Sequence, residues 1–106
     1  MTPSPEDLRR HRRIRLDGRP ARLLIDGAWQ NGRLMDISGG GAALAIDGRA
    51  VVGARVVLSD TELGLISGSI VRRREDGPSM AFDMDDKRRG ALIDTLTVWH
   101  NEALFA

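Results

Sequence analysis

Four Asp-Gly pairs constrain this chain more than any other feature: Asp17-Gly18, Asp26-Gly27, Asp47-Gly48 and Asp76-Gly77. Both residue types tolerate positive φ, so Asp-Gly between extended runs is among the strongest short-range signals for a hairpin turn. Between the pairs lie short runs of strand character. Residues 19–25 pair naturally with residues 28–37 across Asp26-Gly27, and further strands are expected over 42–46, 54–58, 63–73 and 79–84. In the fifth, Leu65, Ser67, Ser69 and Val71 share one face and Ile66, Gly68, Ile70 and Arg72 the other, an imperfect alternation. From Asp86 the period changes: Leu92, Leu96, Trp99 and Ala103 recur at helical spacing with Ile93 beside them. Asp85 or Asp86 suits the helix N-terminus, where a carboxylate caps free N–H groups and meets the positive end of the dipole. A chain of 106 residues has room for one core. A small antiparallel sheet protects its edges by curling closed. The expected fold is therefore mainly β, a six-stranded antiparallel β-barrel with a C-terminal α-helix. Residues 1–8, broken by Pro3 and Pro5, form a flexible lead. A single domain follows over 9–106, with an arginine-rich arm at 9–18, a barrel at 19–84 and a helix at 86–104.

The net charge of +1 hides an asymmetry. Residues 1–22 carry seven arginines against three acidic residues, while the remainder carries nine basic and twelve acidic residues. Lys87 is the only lysine, so the early cations are all arginine, whose planar fork grips phosphates and guanine edges bidentately. There is no cysteine, which excludes a disulfide scaffold, a thiolate metal site and a cysteine nucleophile. The longest apolar runs fall far short of the roughly 18 to 20 residues that cross a bilayer. The first residues, Met1 to Asp7, lack the charged start and apolar run of a secretory leader. A cytoplasmic protein without membrane insertion is the expectation.

Catalysis needs a nucleophile or an acid–base pair within hydrogen-bonding reach. His11 lies in the arginine run and His100 on the expected helix, with no evident partner for either. Two isolated histidines without cysteine make a poor metal site. Asp85-Asp86 reads more simply as a helix cap than as a dyad. No enzymatic activity, metal or cofactor is expected.

Two constellations remain. Leu8-Arg9-Arg10-His11-Arg12-Arg13-Ile14 spaces Arg9 and Arg13 four apart, side by side if the stretch is helical or tightly turned. Asp36-Ile37-Ser38-Gly39-Gly40-Gly41 ends the second strand. In an extended strand Asp36 and Ser38 point to the same side, presenting a carboxylate and a hydroxyl at the rim before three glycines. No Gly-Lys-Ser/Thr follows, so this is not an NTPase phosphate loop. Such a segment can also be a glycine-rich turn whose Ser or Asp bonds its own backbone.

In combination, Arg-x-x-x-Arg at Arg9 and Arg13 followed by Asp-x-Ser-x-x-Gly at Asp36, Ser38 and Gly41 resembles the PilZ domain family. Ile14 after the second arginine and the Ser79-Met80-Ala81-Phe82 strand before the helix add to the likeness. The family's usual glycine in Gly-x-x-Phe is here Ser79, a departure that bears on strand packing. Arg15 and Arg19 share the four-residue spacing by chance. The resemblance implies a PilZ-type six-stranded barrel that binds the bacterial second messenger cyclic di-GMP. Arg9 and Arg13 would each bridge a guanine edge or a phosphate, with Arg10 as a stacking or phosphate partner. Asp36 would accept from guanine N1 and N2 or fix an arginine, and Ser38 would donate or accept. Gly40 and Gly41 would keep the backbone clear and permit positive φ. The arm, repelled by its own charges when free, would order around the ligand and so signal to a downstream effector protein. In this family the residue before the first arginine influences whether one ligand or an intercalated pair binds. Leu8 there favours one, while Arg10 and Arg12 could compensate.

Two other functions fit a small barrel. A ligand-free adaptor would use the barrel alone, but has no need for Asp36 together with two forked arginines. A nucleic-acid-binding barrel would track a backbone with the basic arm and stack bases on sheet aromatics. Trp29 and Phe82 are the only strand aromatics and read as core or rim packing, and the acidic balance of the barrel disfavours a polyanion.

Overall fold

The computed structural model describes residues 13–74 and 77–105. Six antiparallel strands close into a barrel: β1 (Ile14–Ile25), β2 (Ala28–Ile37), β3 (Gly41–Ile46), β4 (Arg55–Asp60), β5 (Gly64–Arg74) and β6 (Gly77–Phe82). Their order around the barrel is β1-β2-β3-β6-β5-β4, with β4 returning to pair with β1. One helix, α1 (Asp86–Phe105), follows. The expected mainly β barrel with a C-terminal helix is what the chain forms.

Alternation builds the core. Leu23, Leu34, Ile37, Leu44, Val56, Leu58, Ile66, Ile70 and Met80 are fully buried, with Leu92 and Leu96 of α1 joining the same cluster. β1, β4, β5 and β6 thus send alternate residues inward over much of their length, as the two-residue period requires, whereas β2 changes step between Leu34 and Ile37, where its register with β3 shifts, and β3 is buried from Gly41 through Leu44. β5 alternates through Val71, with Ile66, Gly68 and Ile70 buried and Leu65 and Val71 exposed, and its register with β6 shifts between Ile70 and Arg72, so that Arg72 is exposed where the period would bury it. Helix α1 is capped by Asp85, whose Oδ1 accepts the Arg88 N–H at 2.7 Å.

The Asp-Gly pairs divide by role. Asp26 and Gly27 adopt φ of 52° and 80° and close the β1–β2 hairpin, with Ile25 paired to Ala28. Asp17 and Gly18, at φ 51° and 91°, make a bulge inside β1 instead of a turn between strands, and the register with β2 shifts there. The strand therefore begins at Ile14, and residues 14–18 of the expected arm belong to the barrel wall. Asp47-Gly48 is a bend after β3, and Gly77 opens β6 at φ 141°.

Candidate functional site

The bulge carries β1 along β2 to its end, pairing Arg15 with Asp36 and Ile14 with Ile37. Arg13, one residue before the strand, thereby reaches Asp36, and its Nη1 donates to Asp36 Oδ1. Asp36 is thus in contact with an arginine, the second of the two roles considered for it. The Arg13 side chain stays half exposed and Asp36 about a fifth. Arg9 and Arg10 lie outside the described residues.

Ser38 takes a different place from the rim position expected. It lies just past β2, is 5% exposed, and its hydroxyl is used locally. Ser38 Oγ accepts the Gly40 N–H at 3.2 Å and donates to the Gly41 carbonyl at 3.4 Å, while the Ser38 N–H donates to the same carbonyl at 2.8 Å. The serine closes the glycine-rich turn on itself.

The glycines also serve other ends than expected, for neither Gly40 nor Gly41 has positive φ. A Cβ on Gly41 would stand 2.3 Å from the Met80 carbonyl oxygen, so Gly41 is required by the close β3–β6 approach, where it pairs with Ala81. A Cβ on Gly40 would meet nothing within 4 Å. Its carbonyl accepts the Phe82 N–H at 2.9 Å, tying the turn to the end of β6.

Arg89 also holds this turn, a role the sequence reading missed. From the first turn of α1 its Nε donates to the Gly39 carbonyl at 3.0 Å and its Nη2 to the Phe82 carbonyl at 3.4 Å. A cation near a helix N-terminus opposes the dipole, which is the one sequence hint that Arg89 has a specific partner.

A second polar cluster anchors α1. Arg19 Nε and Nη2 donate to Asp60 Oδ2 and Oδ1 at 2.7 and 3.1 Å, and Nη2 lies 3.5 Å from Glu62. The same guanidinium sits 4.5 Å over the Trp99 ring, whose Nε1 donates to Glu62 at 3.1 Å. The Glu62 and Leu63 N–H groups donate to Asp60 Oδ1. Burial acts to raise the Asp60 carboxyl, but the Arg19 fork and these two N–H groups outweigh it and hold the group below the usual carboxylate range. Hydrogen bonding to Asp60 in turn raises Arg19. Arg19 is thus committed to the scaffold, consistent with its chance spacing from Arg15.

Among the described residues no group of three or more His, Asp or Glu could hold a metal ion, and no helix is long and apolar enough to cross a membrane. What the rim offers is a tethered guanidinium, a carboxylate and a braced turn.

The family model of the PilZ domain matches residues 7–98. A solved structure, the PilZ domain of CeSA from a cellulose synthesizing bacterium, aligns with a TM-score of 0.63 at 18% identity. The alignment covers 85% of this chain and 98% of that one, a likeness of fold. A search of curated proteins found no match. By its matched sequence, closed barrel and C-terminal helix, the chain belongs to the PilZ domain family.

Proposed function

We propose that this domain is a receptor for cyclic di-GMP, bound at the rim formed by Arg13 and the Asp36–Gly41 turn. The observation that carries the reading is the Arg13–Asp36 contact, which joins the two separated motifs across 23 residues of sequence. Asp36 engages one N–H group of the guanidinium, leaving other donors of the fork for a guanine O6/N7 edge or a phosphate oxygen. Arg9 and Arg10 would add further forks from the N-terminal side. Ser38 serves by shaping the turn, and Arg89 by bracing it from the helix. PilZ domains are binding domains, so the output is a change of surface read by an effector protein. Ordering the cationic segment when two ligand phosphates neutralise it supplies that change.

Isothermal titration with cyclic di-GMP, with GTP as control, tests this reading. Saturable binding near a micromolar, about −8 kcal/mol, is expected. Arg13→Ala, by removing one bidentate contact of about 1–3 kcal/mol, should weaken it roughly 5- to 150-fold. Wild-type heats indistinguishable from those with GTP would overturn the receptor reading.

A further inference from the structure

The outer wall of the barrel away from the rim carries a surface the ligand reading leaves unused. Trp29 on β2 is 45% exposed, although a large aromatic on a strand is ordinarily turned inward. Register sets it beside Leu24 of β1, and Leu24 beside Val57 of β4. One row over, Leu65 of β5 is 56% exposed and pairs with Ser59, which pairs with Arg22. The Arg22 guanidinium lies 5.4 Å over the Trp29 ring. An exposed tryptophan with a stacked arginine among aliphatic side chains is the combination enriched at protein-interface hot spots.

A groove of about 600 Å³ adjoins this patch, lined among others by Pro20, Arg22, Arg33, Asp47, Ser59 and Asp60. Arg22 belongs to both patch and groove. Arg33 is fixed by donating to the Gly18 carbonyl at 3.1 Å. Among the described residues neither Arg22 nor Arg33 forms an ion pair with an acidic side chain. The surface therefore combines an apolar anchor with two held guanidiniums outside any of these ion pairs, while of the two carboxylates in the groove Asp60 is already neutralised by Arg19 and Asp47 leaves the balance cationic.

We infer that this face docks the effector: a protein segment presenting an aromatic or aliphatic side chain next to acidic residues, the first covering Trp29 and the second meeting Arg22 and Arg33. The inference rests on the proposed role as a signalling receptor, and adds where the output is read. Asp36 and Trp29 lie on the same strand, seven residues or roughly 20 Å apart. The ligand rim and the Trp29 anchor thus lie toward opposite ends of one β1–β2 ribbon, with Arg33 and the Asp17-Gly18 bulge between them.

The test pans a random peptide phage library on the purified chain, with and without cyclic di-GMP. Selected peptides are then titrated against wild type, Trp29→Ala and Arg22→Glu. Enriched peptides should place an aromatic or leucine beside Asp or Glu, and each substitution should weaken them by about tenfold or more. Both variants should keep the wild-type circular dichroism spectrum and cyclic di-GMP affinity. Peptides without acidic residues, equal binding to both variants, or no enrichment would overturn the inference. So would a concentration-dependent dimer in sedimentation that Trp29→Ala abolishes, since the face would then belong to a second copy. Selective peptide binding without any cyclic di-GMP binding would uphold the docking face while removing the receptor reading.

Discussion

Replacing Arg19 by methionine tests whether the cluster under α1 is an anchor. Asp60 is the most deeply buried charge described, its side chain 1% exposed, and Arg19 meets it through two donors at 2.7 and 3.1 Å. Removing one partner of such a pair strands the other charge, typically at about 3–5 kcal/mol. Two backbone N–H groups still reach Asp60 Oδ1 in the variant, and methionine keeps much of the apolar stem, so the lower end, about 3 kcal/mol, applies. Loss of the cation over Trp99 adds about 0.5–1 kcal/mol. At about 4–8 °C per kcal/mol for a domain of this size, the melting temperature should fall by roughly 14–32 °C.

The pH dependence supplies an independent sign. In the wild type the Asp60 carboxyl is lowered, so its contribution is present above the unfolded value of about 3.9 and is lost as pH falls through the folded one. In Arg19→Met the raising effect of burial meets less opposition, so acidification relieves the variant. The gap between the two proteins should be widest near pH 7 and narrow below about pH 4. Thermal unfolding followed by circular dichroism at both pH values measures this. A fall under about 4 °C at pH 7, or a gap independent of pH, would refute the argument.

Other substitutions separate the roles assigned at the rim. On the proposed role of the Asp36 carboxylate in positioning the arginine, Arg13→Ala and Asp36→Ala should be non-additive toward cyclic di-GMP. Calorimetry that finds the double variant weaker by the full sum of both losses would contradict this. Gly41→Ala drives a Cβ against the Met80 carbonyl and should cost about 1–3 kcal/mol or more in denaturant titration, whereas Gly40→Ala, with open space around it, should stay within about 0.5 kcal/mol. Arg89→Ala removes two donors from the Gly39 and Phe82 carbonyls. It should cost about 1.5–3 kcal/mol and weaken ligand binding, and an unchanged affinity would show that the turn needs no brace.

Period and capping made much of the fold legible. The six strands follow from alternation between turn signals, α1 from the 92/96/99 spacing, and Asp85 caps the helix as its chemistry suggests. The bulge was not legible, because Asp17-Gly18 and Asp26-Gly27 present the same positive-φ tolerance and only the pairing of Ile14 with Ile37 distinguishes them. The two motifs of the candidate site were legible, but not how their atoms are spent. A hydroxyl such as that of Ser38 bonds a ligand or its own turn with equal ease, and here it bonds Gly40 and Gly41. The need for glycine at 41 comes from Met80, a residue 39 positions away on β6. Asp60, Arg89 and the outward turn of Trp29 depend on such tertiary neighbours too, which local pattern does not encode.

The central claim is that cyclic di-GMP is held at the Arg13–Asp36 rim. Amide chemical-shift mapping of the isotope-labelled chain during a cyclic di-GMP titration tests ligand and location together. Binding at the proposed rim should give saturating shifts centred on Arg13 and on Asp36 to Gly41, with a smaller response at Arg89 and none at Trp29. An unchanged spectrum at about a hundredfold the expected micromolar constant, or shifts centred on the groove between Arg22 and Arg33, would contradict it.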